Sequence, residues 1–234
     1  MLPTIIAMAG IKGGTGKTMT TVNLAVAAER QGVRTVILDL DPIEISAKWS
    51  DGRAEEWPKV HAASNVNLDT AERVRAWLPA KIAEAGRDGA QLVLIDTPGH
   101  AEHIVKPAID AADLVLIPSR PLNPEILALM ETVTLVATAG KIGSIVFVAV
   151  PFRAPELATA RSFAESLNLP FAPAFLSDFR PYFRAFAASQ GVTEYEPSGG
   201  AAAEVNALWE WITRHVEISQ PKGRAAAKAR AVAG

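Results

Sequence analysis

The chain has 234 residues, 49% of them hydrophobic, and a formal net charge of −2 at pH 7. That length is sufficient to bury one sizeable α/β core. The chain has no cysteine, which excludes disulfides, thiolate metal sites, iron–sulfur clusters and cysteine nucleophiles. The first ten residues lack the basic start of a signal peptide, and no apolar run approaches the roughly 20 residues of a membrane span. We therefore expect a cytoplasmic protein.

Short apolar runs alternate with helical patterns along the chain. The predicted strands cover residues 3–9, 34–40, 59–63, 91–95, 113–117, 144–150 and 171–176. The predicted helices cover residues 16–31, 69–85 (with Asp69 as N-cap), 103–111, 124–139, 156–166, 180–190 and 201–217. The strands do not alternate apolar and polar residues, so helices should cover both faces of the sheet. The sequence predicts a doubly wound, mainly parallel α/β sheet flanked by helices.

No linker divides the chain, so we expect a single domain over residues 1–218. Residues 219–234 differ in composition, being rich in alanine and free of acidic residues. Four basic residues lie there: Lys222, Arg224, Lys228 and Arg230. We expect a flexible, solvated tail, with a weak and salt-dependent contact to a phosphate backbone as the alternative.

The segment between the first strand and the first helix has the composition of a phosphate-binding loop. Its glycines let backbone N–H groups wrap around phosphate oxygens, and the following helix adds the positive end of its dipole. The common G-x-x-x-x-G-K-[S/T] spacing requires glycine at position 11, where Ile11 stands. The chain instead carries Lys-Gly-Gly-Thr-Gly-Lys-Thr at residues 12–18. We expect Lys17 to reach the β- and γ-phosphates and the Thr18 hydroxyl to bind Mg²⁺.

Two acidic motifs follow at the carboxyl ends of predicted strands. Asp39 and Asp41 can point at one site, because residues i and i+2 share a strand face. Asp96 ends the apolar run Leu-Val-Leu-Ile. Carboxylates are ligands that Mg²⁺ prefers, although an aspartate after a strand is often only a cap or turn residue.

The three motifs together resemble those of the ParA/MinD family of ATPases, which have the P-loop NTPase fold, and the loop is similar to that family's deviant Walker A motif. The resemblance implies that Lys12 crosses an ATP-sandwich homodimer to the partner's phosphates, while Lys17 acts in its own site. It implies that Asp41 orients the attacking water and that Asp39 lies near the Mg²⁺ shell. Asp96 resembles the Walker B aspartate that holds Mg²⁺, followed by a switch loop that senses the γ-phosphate.

The resemblance covers nearly the whole chain but is specific only at these motifs. It implies phosphate contacts along the loop from Gly13, Gly14, Thr15, Gly16, Lys17, Thr18 and Met19. It also makes Pro151, Phe152 and Arg153, after a predicted strand, candidates for adenine contacts. No Asn-Lys-x-Asp guanine motif is present, which favours ATP over GTP.

Several branches of the family have features that this sequence lacks. Iron–sulfur and arsenite-pump relatives rely on cysteine, and MinD-type proteins end in an amphipathic membrane helix, whereas residues 220–234 offer no large apolar face. The loop begins at residue 10, which leaves no room for the N-terminal helix-turn-helix domain of long plasmid ParA proteins. The chain therefore resembles the short ParA type, such as ParF and the ATPases that position carboxysomes.

In that branch, ATP-bound dimers bind DNA without sequence preference, and a ParB-type adaptor on the cargo stimulates an otherwise slow hydrolysis. The resemblance thus implies a nucleoid-associated ATPase for plasmid or chromosome partition, or for cargo positioning. The candidate DNA contacts, each of which is equally compatible with an ordinary solvated charge, are Arg180, Arg184, Arg214, Lys222 and Arg224. The main alternative is an ATP-dependent small-molecule enzyme of the dethiobiotin-synthetase type, and a nucleotide-binding scaffold without turnover is a third.

Overall fold

The computed structural model describes residues 2–63, 66–121 and 123–218. Within them, six strands form one sheet: β1 (Thr4–Met8), β2 (Thr35–Asp39), β3 (Lys59–Ala62), β4 (Leu92–Asp96), β5 (Leu114–Ser119) and β6 (Gly143–Phe147). The order in the sheet is β3-β2-β4-β1-β5-β6, and the neighbouring strands pair in parallel. The predicted doubly wound parallel fold is confirmed.

Helices cover both faces of this sheet. They are α1 (Lys17–Arg30), α2 (Ile45–Asp51), α3 (Ala71–Arg87), α4 (Glu102–Ala111), α5 (Asn123–Thr138), α6 (Pro155–Ser166), α7 (Arg180–Ala187), α8 (Val192–Tyr195) and α9 (Gly200–His215). Parallel strands need such crossover connections, because the chain must return to the same edge before each new strand.

The core lies in two layers, one on each face of the sheet. Successive strand residues point to opposite faces, so Ile6 packs in one layer with Val22 of α1 and Leu208 of α9. Its neighbour Ala7 belongs to the other layer, with Val74 of α3. Burying a Val, Leu or Ile side chain stabilises the fold by roughly 1.5–3 kcal/mol. Both faces of these strands are buried, and the strands are therefore continuous runs of mostly apolar residues.

Two predictions about local structure were wrong. Residues 171–176 form no ladder strand: they have one isolated bridge, between Ile145 and Phe171, and separate backbone hydrogen bonds to the region of β6. Pro173 lies in this segment and has no N–H to donate to a ladder. The N-cap of α3 is Thr70, whose hydroxyl accepts from the backbone N–H of Arg73. Asp69 instead pairs with the Arg73 guanidinium at 2.8 Å.

The short helices α2 and α8 were not predicted. The residue before α2, Glu44, makes no side-chain cap and has a φ of 57°. The capping carboxylate for α2 comes from Asp39 on β2, which accepts from the N–H of Ser46, seven residues further along the chain. The sequence of α2 and the residue before it therefore contain no side chain that marks the start of the helix.

Candidate nucleotide-binding site

The phosphate-binding loop connects β1 to α1 at the carboxyl edge of the sheet. Gly16, just before α1, has a φ of 84°, and a Cβ there would come within 3.0 Å of the Val148 side chain. Glycine is therefore required at this position on both conformational and steric grounds. The free N–H groups of the first turn of α1 face the same edge, as an anion site needs.

Lys17 lies under the loop and is buried. Its ammonium donates to the carbonyl oxygens of Gly10 at 3.1 Å and Lys12 at 3.0 Å. Burial lowers the pKa of Lys17, and the negative charges of Asp96 and Asp41 oppose that shift. The loop thus holds a positive charge at its centre, with two carboxylates close by.

Asp96 is the least satisfied polar group of the site. It is 1% exposed, and neither carboxylate oxygen accepts a hydrogen bond of regular geometry. Burial, and then the nearby charge of Asp39, raises the pKa of Asp96 to about 7, while the neighbouring Thr18 hydroxyl and the charge of Lys17 lower it. A buried carboxylate without partners is costly unless a cation compensates it.

The donor chemistry at this point fits a magnesium ion. Thr18 and Asp96 supply a hydroxyl and a carboxylate, and Mg²⁺ prefers oxygen ligands and shares them with substrate phosphates. Among the described residues, no three His, Asp or Glu side chains are grouped to hold a metal by themselves. The arrangement therefore favours a cation held jointly by the protein and a nucleotide.

Asp39 caps the start of α2. It lies beside Asp96 in the register of β2 and β4, and its carboxylate accepts from the hydroxyl and the N–H of Ser46, at 2.5 and 3.1 Å. It also accepts from the N–H groups of Ala47 and Asp41. These bonds hold the first turn of α2 to the sheet, and the expected place of Asp39 near the Mg²⁺ shell stays a prediction.

Asp41 lies two residues further on and lines the open groove next to the loop. One of its carboxylate oxygens accepts from the N–H of Ile43 at 2.9 Å, which fixes the turn. Its charge acts on both Lys17 and Asp96. Asp41 is therefore positioned as a carboxylate facing the phosphate side of the groove.

The segment after β4 packs directly on the phosphate-binding loop. The Thr97 hydroxyl donates to the Met8 carbonyl oxygen at 2.7 Å, and a Cβ on Gly99 would come within 2.8 Å of Gly13. His100 has a φ of 59° and donates its N–H to Ile11. Its imidazole lies next to Gly13. Sequence reasoning missed His100, although its position directly after the switch-loop motif was an available signal.

Two of the openings that border the loop are large enough to hold parts of a nucleotide. The larger is a groove of about 1150 Å³ that contains the loop, Asp41 and the 97–100 segment. Its outer wall includes the exposed apolar residues Ile43, Ile45 and Phe183. The smaller is a cavity of about 130 Å³ on the other side of the loop, bounded by Gly16, Met19, Val148, Ala149, Ser177 and Asp178.

The residues predicted for adenine do not lie in either opening. Pro151, Phe152 and Arg153 are exposed, and the Arg153 guanidinium lies over the Phe152 ring at 5.1 Å. The reason is the length of β6, which ends at Phe147, three residues earlier than predicted. Ligands bind just beyond the carboxyl ends of parallel strands, so the cavity is bordered by Val148 and Ala149 instead.

The basic residues predicted to bind DNA separate into two groups. Arg180 and Arg184 are exposed and one turn apart on α7. Arg214, at the end of α9, is exposed but pairs with Glu210. The start of α9, not its end, lies against Phe179, the residue before α7. Lys222 and Arg224 lie outside the described residues.

The fold and this edge of the sheet define a P-loop nucleotide-binding protein of the ParA/MinD type. Residues 6–190 match the family model described as the CobQ/CobB/MinD/ParA nucleotide binding domain, and the chain belongs to this family. Members of the ParA/MinD group are ATP-binding NTPases involved in positioning or partition. None of the described helices is both long enough and apolar enough to cross a bilayer.

Individual relatives agree with this family. The chain is 28% identical, over 92% of its length and 94% of the relative's, to maintenance of carboxysome distribution protein A of Gloeobacter kilaueensis. It is 34% identical to the chromosome-partitioning ATPase Soj of Thermus thermophilus, over 57% of this chain and 60% of Soj. A complex of Cyanothece McdA with ATP has a TM-score of 0.70 at 16% identity, over 94% of this chain and 98% of that one, which is a likeness of fold.

Proposed function

We propose that the chain is a partition or positioning ATPase that dimerises with ATP, binds DNA without sequence preference and is released on hydrolysis. The observation that carries the proposal is the buried pair of Lys17 and the unpartnered Asp96 beneath a glycine-rich loop. A buried ammonium at the N-terminus of α1, beside a buried carboxylate that accepts no hydrogen bond of regular geometry, is an arrangement that a Mg²⁺–triphosphate group would satisfy. The similarity to a carboxysome distribution protein over nearly its whole length supports the cellular role.

In this proposal, each loop residue has one task toward the nucleotide. Lys17 exchanges its bonds to the Gly10 and Lys12 carbonyl oxygens for phosphate oxygens, which are stronger, charge-assisted partners. Thr18 and Asp96 hold Mg²⁺, which neutralises charge on the phosphates when it is bound. The N–H groups of Gly13 to Met19 surround the phosphates.

Hydrolysis depends on groups at the open side of the groove. Asp41 orients the attacking water, and His100 lies close enough to Gly13 to respond to the γ-phosphate through the 97–100 segment. Lys12 acts on the phosphates of the partner subunit, which makes turnover depend on dimerisation. Phosphoryl transfer needs mainly positioning and charge stabilisation, so the isolated monomer should be slow.

The ATP-bound dimer then presents basic side chains to DNA. We propose Arg180 and Arg184 of α7, with Arg214, Lys222 and Arg224, as phosphate contacts of a chain whose residues 1–218 form a single domain. A ParB-type adaptor on the cargo stimulates hydrolysis, and the protein is cytoplasmic and nucleoid-associated. Contacts of this kind carry no sequence information and weaken steeply with salt.

A DNA-binding titration tests the proposal. Fluorescence anisotropy with labelled duplex DNA should show tight binding with ATPγS and at least about tenfold weaker binding with ADP, with a linear loss against the logarithm of salt concentration. The double variant Arg180→Ala/Arg184→Ala should reduce the salt slope. Arg73→Ala is the matched control, because Arg73 is an exposed arginine already paired with Asp69.

Two outcomes would contradict the proposal. Equal DNA affinity with ATPγS and ADP would remove the nucleotide switch. ATP turnover that ignores DNA and rises only with a small-molecule acceptor would favour the dethiobiotin-synthetase type of enzyme.

A further inference from the structure

One wall of the smaller cavity, which lies beside the phosphate-binding loop, is formed by residues outside all three nucleotide-binding motifs. This wall is the segment of residues 176–179, between the end of the sheet and α7, and it faces Gly16 and Met19 across the cavity. It contains Ser177, which is buried, and Asp178, which is exposed. The segment has no helix or strand of its own, so its position depends on the bonds that hold it.

Backbone bonds fix one side of the segment to the end of β6. The N–H of Leu176 donates to Phe147 at 2.9 Å, and the N–H of Asp178 donates to Val150 at 2.8 Å. Val150 donates back to Leu176 at 3.1 Å. These bonds place the segment at the carboxyl edge of the sheet.

A single carboxylate fixes the other side. Glu204 of α9 accepts from the backbone N–H of Ser177 at 2.8 Å and from the Ser177 hydroxyl at 2.5 Å. The Tyr182 hydroxyl, in the first turn of α7, lies 3.1 Å from the same carboxylate. Burial, and then the charge of Glu204, raises the pKa of the Tyr182 hydroxyl, which therefore remains a donor.

The arrangement suits a carboxylate. The backbone N–H of Ser177 and the hydroxyls of Ser177 and Tyr182 all donate to it, and hydrogen bonds to a carboxylate are about twice as strong as neutral ones. A glutamine keeps one oxygen for the Ser177 N–H, and its NH₂ group can donate to the Ser177 hydroxyl, which also accepts. Replacing the carboxylate by an amide therefore weakens these bonds without leaving a donor unpaired.

We propose that Glu204 is a positioning residue for the nucleotide base: it holds the Ser177–Asp178 wall against the cavity in which the base binds. This inference rests on the proposed ATP binding. The base is common to ATP and ADP, so loss of Glu204 should weaken both nucleotides to the same extent. Contacts to the phosphates come from the loop, so a ligand without a base should be unaffected.

The test compares Glu204→Gln with Glu210→Gln in the full-length chain. Glu210 is a matched control on the same helix, because its carboxylate is exposed and pairs with Arg214. Isothermal titration gives the Kd of ATP, ADP and inorganic tripolyphosphate for each protein. We expect Glu204→Gln to weaken ATP and ADP binding about tenfold, to leave tripolyphosphate binding unchanged, and Glu210→Gln to change none of the three.

An unchanged ATP affinity in Glu204→Gln would overturn the inference, and so would an equal loss of ATP and tripolyphosphate affinity. If Glu204→Gln does not fold, as judged by circular dichroism, Ser177→Ala replaces it. That variant removes only the hydroxyl bond and should give a smaller loss, about threefold, with the same pattern. A wild-type protein that binds no ATP would instead contradict the proposed function.

Discussion

The phosphate side and the base side of the candidate site are built in different ways. The phosphate side is built from three short continuous segments, residues 10–18, 39–41 and 96–100, each at the carboxyl end of a strand. The proposed base side combines Met19, Val148 and Ser177, which lie far apart in the chain. A continuous segment leaves a motif in the sequence, whereas an assembled wall does not. The loop lies at the edge of the sheet as expected from the sequence, whereas the three residues expected to contact adenine line neither opening.

The largest expected effect is loss of the phosphate side through Lys17→Ala. It should weaken ATP and ADP binding by at least about a hundredfold, because it removes a buried charge that contacts the phosphates. Calorimetric titration measures the change. Lys12→Ala is the informative partner variant, since it should keep nucleotide affinity within about threefold and lose dimer-dependent turnover. A Lys12→Ala protein with normal stimulated turnover would refute the role of Lys12 in trans.

Asp96→Asn should separate magnesium binding from stability. Burial and the charge of Asp39 raise the pKa of the Asp96 carboxylate to about 7 against the opposing effects of Thr18 and Lys17, so its neutral replacement should raise the melting temperature of the metal-free protein at pH 7 and above. The same variant should lose the further stabilisation that Mg²⁺ with ATP gives the wild type. Thermal unfolding with EDTA or with Mg²⁺–ATP checks both. A variant less stable than the wild type in EDTA would show that Asp96 has partners in solution.

Val148→Ala and Arg153→Ala decide where the base binds. Val148 borders the cavity and is 4% exposed, so removing two methyl groups should weaken ATP and ADP binding about fivefold through the loss of about 1 kcal/mol of apolar contact. Arg153 is exposed and lies outside the cavity, so Arg153→Ala should leave both affinities unchanged. The opposite ranking would favour the adenine position predicted from sequence over the structural one.

The smallest expected effect lies away from both sides, in the last turn of α1. Burial raises the pKa of Glu29 from 4.5 to about 7, and the hydrogen bond from the Thr35 N–H only partly opposes this. The folded state therefore binds the proton more tightly than the unfolded state. The stability that protonated Glu29 contributes to the folded state is therefore complete below pH 4.5 and is lost as the pH rises to 7.

The substitution Glu29→Gln should remove this pH-dependent loss of folding stability, because glutamine does not ionise. Urea unfolding of both proteins between pH 4 and 8 should show the difference in their stabilities changing by about 1 kcal/mol after allowance for solvent screening, with the glutamine variant favoured at the higher pH. A difference that stays constant over this range would show that Glu29 titrates normally. Nucleotide affinity should not change in this variant.

Several sequence predictions held because the information for them is local. The buried strands were recognisable because both of their faces are apolar, and the position of the loop followed from a strand, a glycine-rich turn and a helix start. The contacts of Asp39 could not be predicted from local sequence. Its spacing from Asp41 is correct for a shared site, but Ser46 and Ala47 provide donors that engage its carboxylate. Nothing in the Asp-Leu-Asp motif reveals those partners.

The sequence by itself determined the parallel α/β fold, the phosphate-binding loop and the family, because each depends on residues close together in the chain. Only the tertiary structure decided that Asp96 is buried with no hydrogen bond of regular geometry, that His100 lies next to Gly13, and that Glu204 holds the Ser177 wall of the smaller cavity. These features depend on strand ends and helices that meet across the sheet. The exact end of β6 decides which residues border the cavity, and that end is set by pairing with β5 and with the segment after α6 rather than by the apolar run itself.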